Sequence, residues 1–206
     1  AVIYAGLASK EADAAAKAAI KQKANEKLAV VKAAKDDTLD WDSEFAKASS
    51  GAAELQAKAD AGPSNDNIVA LKKQVAANKE DTTALFNLAM AYQEVGNWDG
   101  AALAWQKMND LLPTWEPAYY SKGYALQQAG YKELAAVAFQ KYIDVALTKT
   151  PAEQQALQET LFGAYYSVAY LLHTTDKVKA NEALQKALAM KPNDHNSLLL
   201  QKELMK

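Results

Sequence analysis

Two windows of this chain can be laid over one another at a shift of thirty-four residues. Residues 84–113 (ALFNLAMAYQEVGNWDGAALAWQKMNDLLP) align with residues 118–147 (AYYSKGYALQQAGYKELAAVAFQKYIDVAL) so that spacing and residue size agree at many positions together. Ala89 falls on Gly123, Gly96 on Gly130, Ala101 on Ala135 and Trp105 on Phe139. Small residues recur where two helices must approach closely, and a glycine recurs where the chain turns between them. A large ring recurs on the second helix of each pair. A translation of this kind constrains the fold more than composition can. The same two-helix unit must be built twice, and neither copy can bury its apolar face without its neighbour.

The pattern resembles the tetratricopeptide (TPR) repeat, a thirty-four-residue helix-turn-helix unit. Leu85, Leu88, Ala89, Tyr92, Gly96, Trp98, Ala101, Trp105 and Pro113 fill the family pattern in the first unit. The second departs where Tyr131 directly follows Gly130 and where Leu147 stands in place of the closing proline. The resemblance covers about residues 81–192 and implies an all-α, TPR-type solenoid of antiparallel helix pairs.

A third, looser unit reads as helices over residues 160–173 and 177–192, with Ala180, Leu184, Ala187 and Pro192 spaced like a repeat's second helix. Its turn, Thr174-Thr175-Asp176, lacks glycine, and residues 148–158 lengthen its approach, with Pro151 as a helix-start residue. Asn193-Asp194 offers an N-cap for a final capping helix over 194–205. Upstream, Ile68, Leu71 and Val75 form the apolar stripe of a cap helix over 66–78. The expected TPR-like domain is therefore 62–206, with repeats at about 81–115, 116–149 and 152–192. The run Ala61-Gly62-Pro63-Ser64-Asn65-Asp66 before it is the strongest linker signal in the chain.

Residues 1–61 differ in character. An Ala- and Lys-rich stretch over 9–35 reads as one long helix, and 39–61 as a second, with Trp41, Phe45, Ala52, Leu55 and Ala59 inward. Together they suggest a long helical hairpin preceding the solenoid. The apolar start, residues 1–8 (AVIYAGLA), reads either as an anchor remnant or processed end, or as an ordinary first helical turn. A membrane-associated or extracytoplasmic location is slightly favoured over the cytoplasm on that ground.

Composition narrows the chemistry. Half the residues are apolar, 23% are charged and the formal net charge is -2, the balance of a folded rather than a disordered chain. With no cysteine, disulfides, thiolate metal sites and cysteine nucleophiles are excluded. All 23 basic residues are lysines, so there is no planar fork for phosphate or guanine, and nucleic acid is not an expected partner. His173 and His195 do not make a metal site. Asp40, Asp42 and Glu44 resemble the start of a calcium loop, but Phe45 stands where the sharp turn needs glycine, and these acids fit better as first-turn residues of a helix. No residue is assigned a catalytic role, and no cofactor or metal is expected.

The candidate site is an aromatic pattern. Phe86/Met90 falls on Tyr120/Tyr124, and Tyr166/Tyr170 repeats the same i, i+4 spacing in the third unit, which places each pair on one helix face. In TPR proteins these first-helix positions face the concave groove. The resemblance thus implies a partner-binding groove formed by Phe86, Met90, Gln93, Tyr120, Tyr124, Gln127, Tyr166 and Tyr170, with half of the large side chains shared with the core. It would hold an apolar or helical segment of a protein partner. Phe86 and Met90 stand where the carboxylate-clamp class of the family begins with lysine and asparagine, which disfavours an acidic C-terminal tail. Trp98 and Trp105 read as core and Trp115 as the exposed tryptophan. The leading expectation is a non-catalytic interaction scaffold; the alternative is a structural subunit that self-associates through the Ala-rich N-terminal helix, as an oligomer or filament.

Overall fold

The computed structural model describes Gly51 and residues 53–205, which are helices and short connections with no strand among them. The chain divides between Ala61 and Gly62 into two units. In the first, residues 53–61 are helical. The rest of the expected N-terminal hairpin, including the apolar start and the acidic cluster, lies outside the described residues. The second unit contains nine helices among the described residues: α1 (Asp66–Ala77), α2 (Thr82–Glu94), α3 (Trp98–Leu111), α4 (Glu116–Gln128), α5 (Lys132–Ala146), α6 (Pro151–Ala156), α7 (Gln158–Leu172), α8 (Lys177–Met190) and α9 (His195–Leu204). Each packs mainly on its chain neighbours, except that α7 skips the short α6 and lies on α5.

Two of the helix turns close in the same way. Asn97 N–H donates to the Tyr92 carbonyl (2.8 Å) and Gly96 N–H to Gln93 (3.1 Å); one repeat later Tyr131 N–H donates to Leu126 (2.9 Å) and Gly130 N–H to Gln127 (3.1 Å). This pairing satisfies the last carbonyls of α2 and α4 and requires a left-handed residue, which is why glycine stands there, at φ 74° and 88°. Any L-residue at either point would cost about 1–2 kcal/mol. The third turn leaves the helix differently: Asp176 N–H donates to Leu172 (2.8 Å) through three intervening residues, none of them glycine.

Side-chain caps open most helices. Asn65, Asp81, Asn97, Asp176 and Asp194 each accept a backbone N–H three residues on. Before α6, Thr150 and Glu153 form a reciprocal capping box with Pro151 at the first helical position. The segment that reads as a mere lengthened approach is therefore a short helix, ending at Leu157, from which α7 starts.

Alanine controls how closely the helices pack. Ala89, Ala101, Ala118, Ala125, Ala135, Ala146, Ala164, Ala169, Ala180 and Ala187 are completely buried, and the large core residues Trp105, Phe139, Leu126, Ile143 and Leu184 fill the space between them. Polar bonds also run one repeat apart. Tyr131 donates its hydroxyl to Asp99 (2.9 Å, 32 residues back), and Asn97 donates to the Pro63 carbonyl (3.0 Å, 34 residues back). Asn97 is 2% exposed and also caps α3. Asn97→Ala is expected to lower stability by about 1–3 kcal/mol, because one buried cap and the fastening of the 62–65 segment go together. A urea titration of the two proteins would measure this, and a change below half a kcal/mol would refute it.

Candidate functional site

The first helices of the three repeats, α2, α4 and α7, carry the candidate residues. In each, a buried small residue (Ala89, Gly123, Ala169) lies three positions after the first candidate and one before the second. It brings the following helix close and leaves its larger neighbours at the surface. Phe86, Met90, Tyr124 and Tyr170 are 39%, 40%, 44% and 48% exposed. Tyr120, Tyr166, Gln93 and Gln127 are half-buried.

The rings form local clusters rather than one ladder. Phe86 stands edge-on to Trp105 at 5.5 Å and near Trp115 at 6.4 Å. Tyr124 stands edge-on to Trp98 at 5.7 Å, joining neighbouring repeats. Tyr120 turns inward against Phe139 (5.3 Å) and Tyr142 (5.2 Å), so its half-buried ring packs on the core. A Cβ at Gly163 would lie 3.2 Å from its hydroxyl, so a larger residue there would crowd it. Burial holds the Tyr120 phenol above its ordinary pKa. Tyr166 and Tyr170 stack nearly parallel, 6.1 Å apart and 19° between planes.

The tryptophans correct the expectation for two of three. Trp105 is core, 2% exposed. Trp98, expected in the core, is half-buried and supports Tyr124. Trp115, expected at the surface, is half-buried against Phe86 and Trp105. The connection that holds it is pinned by a Trp115 N–H bond to the Leu112 carbonyl at 3.0 Å. A surface turn in sequence thus becomes one wall of a cavity.

Two cavities flank Phe86 and Met90. One of about 260 Å³ is lined by Thr82, Thr83, Phe86, Met108, Leu112 and Trp115 and is mostly apolar. The other, about 240 Å³, is lined by Asn67, Leu71, Asn87, Met90, Ala91 and Glu94 and is mostly polar. The two candidates of the first repeat therefore border different spaces.

Charge enters the first helices sparingly. Lys122 is the one lysine of α2, α4 and α7, and its ammonium donates to Gln106 of α3, which in turn donates to Asp110 at 2.8 Å. Burial pulls the Lys122 pKa down, against the pull of Asp110; burial likewise raises the Asp110 carboxyl, against its bond from Gln106. Glu116 is buried and pairs with Lys149 at 2.9 Å, which raises the Lys149 pKa. Among the described residues, no cluster of three metal-ligating side chains occurs, and no helix is long and apolar enough to cross a membrane.

Successive packed helix pairs, with rings and amides along the first helices, define a TPR-like solenoid, an architecture whose members are generally non-enzymatic protein-interaction scaffolds. Solved structures agree. The chain is similar to a crystal structure of MamA protein (25% identity, TM-score 0.51), over 66% of this chain and 70% of that one. It is also similar to the C-terminal part of a TPR repeat-containing protein from Cytophaga hutchinsonii (23% identity, TM-score 0.53), over 65% of this chain and 52% of that one. No family model and no curated protein sequence matches the chain.

Proposed function

We propose that this protein is a non-catalytic scaffold whose first helices form a groove that holds a segment of a protein partner. The observation that carries this reading is the run of large, half-exposed side chains on successive first helices: Phe86, Met90, Tyr124 and Tyr170. The exposed apolar residues of the second helices, Leu134, Val137 and Val178, are aliphatic rather than aromatic. Rigid rings, Phe86 held edge-on by Trp105 and Tyr124 by Trp98, give contact area at low entropy cost, which is what an apolar or helical segment needs. Gln93 and Gln127 between them supply amides for the segment's backbone. The self-association reading rests on residues 9–35, outside the described residues, and nothing in the solenoid favours it over partner binding.

The test is a variant with Phe86, Tyr124 and Tyr170 all changed to alanine. Tyr120 is left intact because its ring packs on the core residues Phe139 and Tyr142. Affinity capture from the native source is expected to recover at least about tenfold less partner, with far-ultraviolet circular dichroism nearly unchanged. Equal recovery by the variant would remove the groove from consideration.

A further inference from the structure

Each first helix carries a single carboxylate: Glu94 on α2, Glu116 on α4 and Glu159 on α7. Two of the three are answered by a lysine of the chain itself, Glu116 by Lys149 at 2.9 Å and Glu159 by Lys191 at 2.6 Å. Glu94 has no such partner among the described residues. It is the last residue of α2, and it lines the cavity of about 240 Å³ together with Asn67, Leu71, Asn87, Met90 and Ala91. Neither asparagine side chain is hydrogen-bonded to a described residue. A carboxylate and two amides thus face one space between α1 and α2 with their bonding capacity unused inside the fold.

No lysine lines that space. The chain on either side of it, residues 66–71 and 91–100, holds Asp66, Glu94 and Asp99 as its charged residues. Lys72 and Lys73 follow Leu71 on α1, but they stand about 100° and 200° round the helix from it and neither borders the cavity. Carboxylate and carboxamide oxygens accept the hydrogen bonds that an ammonium or guanidinium donates. Leu71, Met90 and Ala91 supply an apolar wall against which the methylene stem of such a side chain can lie. An acidic side chain would instead meet Glu94, and the lone lysine of the first helices, Lys122, is already engaged by Gln106.

We infer that the cavity between α1 and α2 takes a lysine or arginine side chain of the partner segment, its charged head on Glu94 and the amides of Asn67 and Asn87. The inference rests on the groove reading and names the chemistry of the segment's end. Phe86 and Met90 stand about 6 Å apart along α2 and border the apolar and the polar cavity respectively. The fitting segment therefore carries a basic residue within about one helical turn of an apolar one. The apolar residue enters beside Phe86 and Trp115.

The test uses the full chain and three fluorescein-labelled, sixteen-residue amphipathic peptides of leucine and alanine. They are identical except for four polar positions, which are all lysine, all glutamine or all glutamate. Anisotropy titrations at low salt should show the lysine peptide binding about fivefold or more tighter than the glutamate peptide, with glutamine between. Glu94→Gln, which keeps the shape of an exposed side chain, should weaken the lysine peptide about threefold and leave the glutamine peptide unchanged. The same change at Glu182, exposed on α8, should alter none of them, whereas Phe86→Ala should weaken all three alike. A Glu94→Gln variant that binds the lysine peptide as tightly as the parent, or a Glu182→Gln variant that loses as much, would overturn the basic pocket; a loss of all three with Phe86→Ala would then leave the groove standing. Binding of none of the three to the parent would count against the groove itself, and with it against this inference.

Discussion

Trp105→Ala is expected to cost about 3–5 kcal/mol and to lower the melting temperature by roughly 10 °C. Trp105 is 2% exposed, touches Phe86 and Trp115, and fills the space that the alanines of α2 and α3 leave between them. Helices spaced by backbone-sized contacts cannot collapse onto the gap, so most of the cavity would persist. Its indole N–H has no hydrogen-bond partner although it is buried. Trp105→Phe keeps most of the ring area and removes that orphaned donor, whose burial costs about 1–3 kcal/mol. It is therefore expected to lose less than half as much as the alanine variant. Urea unfolding of the three proteins decides the matter: an alanine variant within 1 kcal/mol of the parent would mean that the repeats close up, contrary to the packing described.

The second large effect is expected from overfilling. A Cβ on Gly123 would lie 3.0 Å from three atoms of the Phe139 ring, and that ring is 1% exposed between α4 and α5. Gly123→Ala requires a shift of a few tenths of an ångström. Gly123→Val adds two branches to a site with nowhere to go and should destabilise by about 1–3 kcal/mol. The pair Gly123→Val, Phe139→Leu tests the cause, since a smaller partner should restore part of the loss if the clash is with that ring. Additive losses in a double-mutant cycle would place the strain elsewhere.

The fold was legible because it depends on spacing. Gly96 and Gly130 sit thirty-four residues apart at positive φ, and the stripe Ile68, Leu71, Val75 is the buried face of α1. Both follow from periodicity, which survives without coordinates. The candidate site was legible only as a set of positions. Phe86 and Tyr120 occupy the same place in their units, yet Phe86 is 39% exposed while Tyr120 packs against Phe139 and Tyr142. The second unit offers a tyrosine at 142 where the first offers Met108, and ring prefers ring, so the phenol turns inward. The capping box at Thr150 and Glu153 was readable as T-x-x-E and would have revealed α6.

By itself, the sequence determined that the chain must be a stack of helix pairs, because size and apolarity repeat along it and a repeated amphipathic unit can hide its face only against its own kind. Tertiary structure alone decided which rings of that pattern stay exposed and which pack inward. It swung Trp115 from a surface turn onto Phe86 and laid Tyr120 against Phe139 and Tyr142. Exposure and electrostatic neighbourhood depend on what the adjacent repeat brings to the contact, and that is a relation between side chains distant in sequence rather than a property of either one.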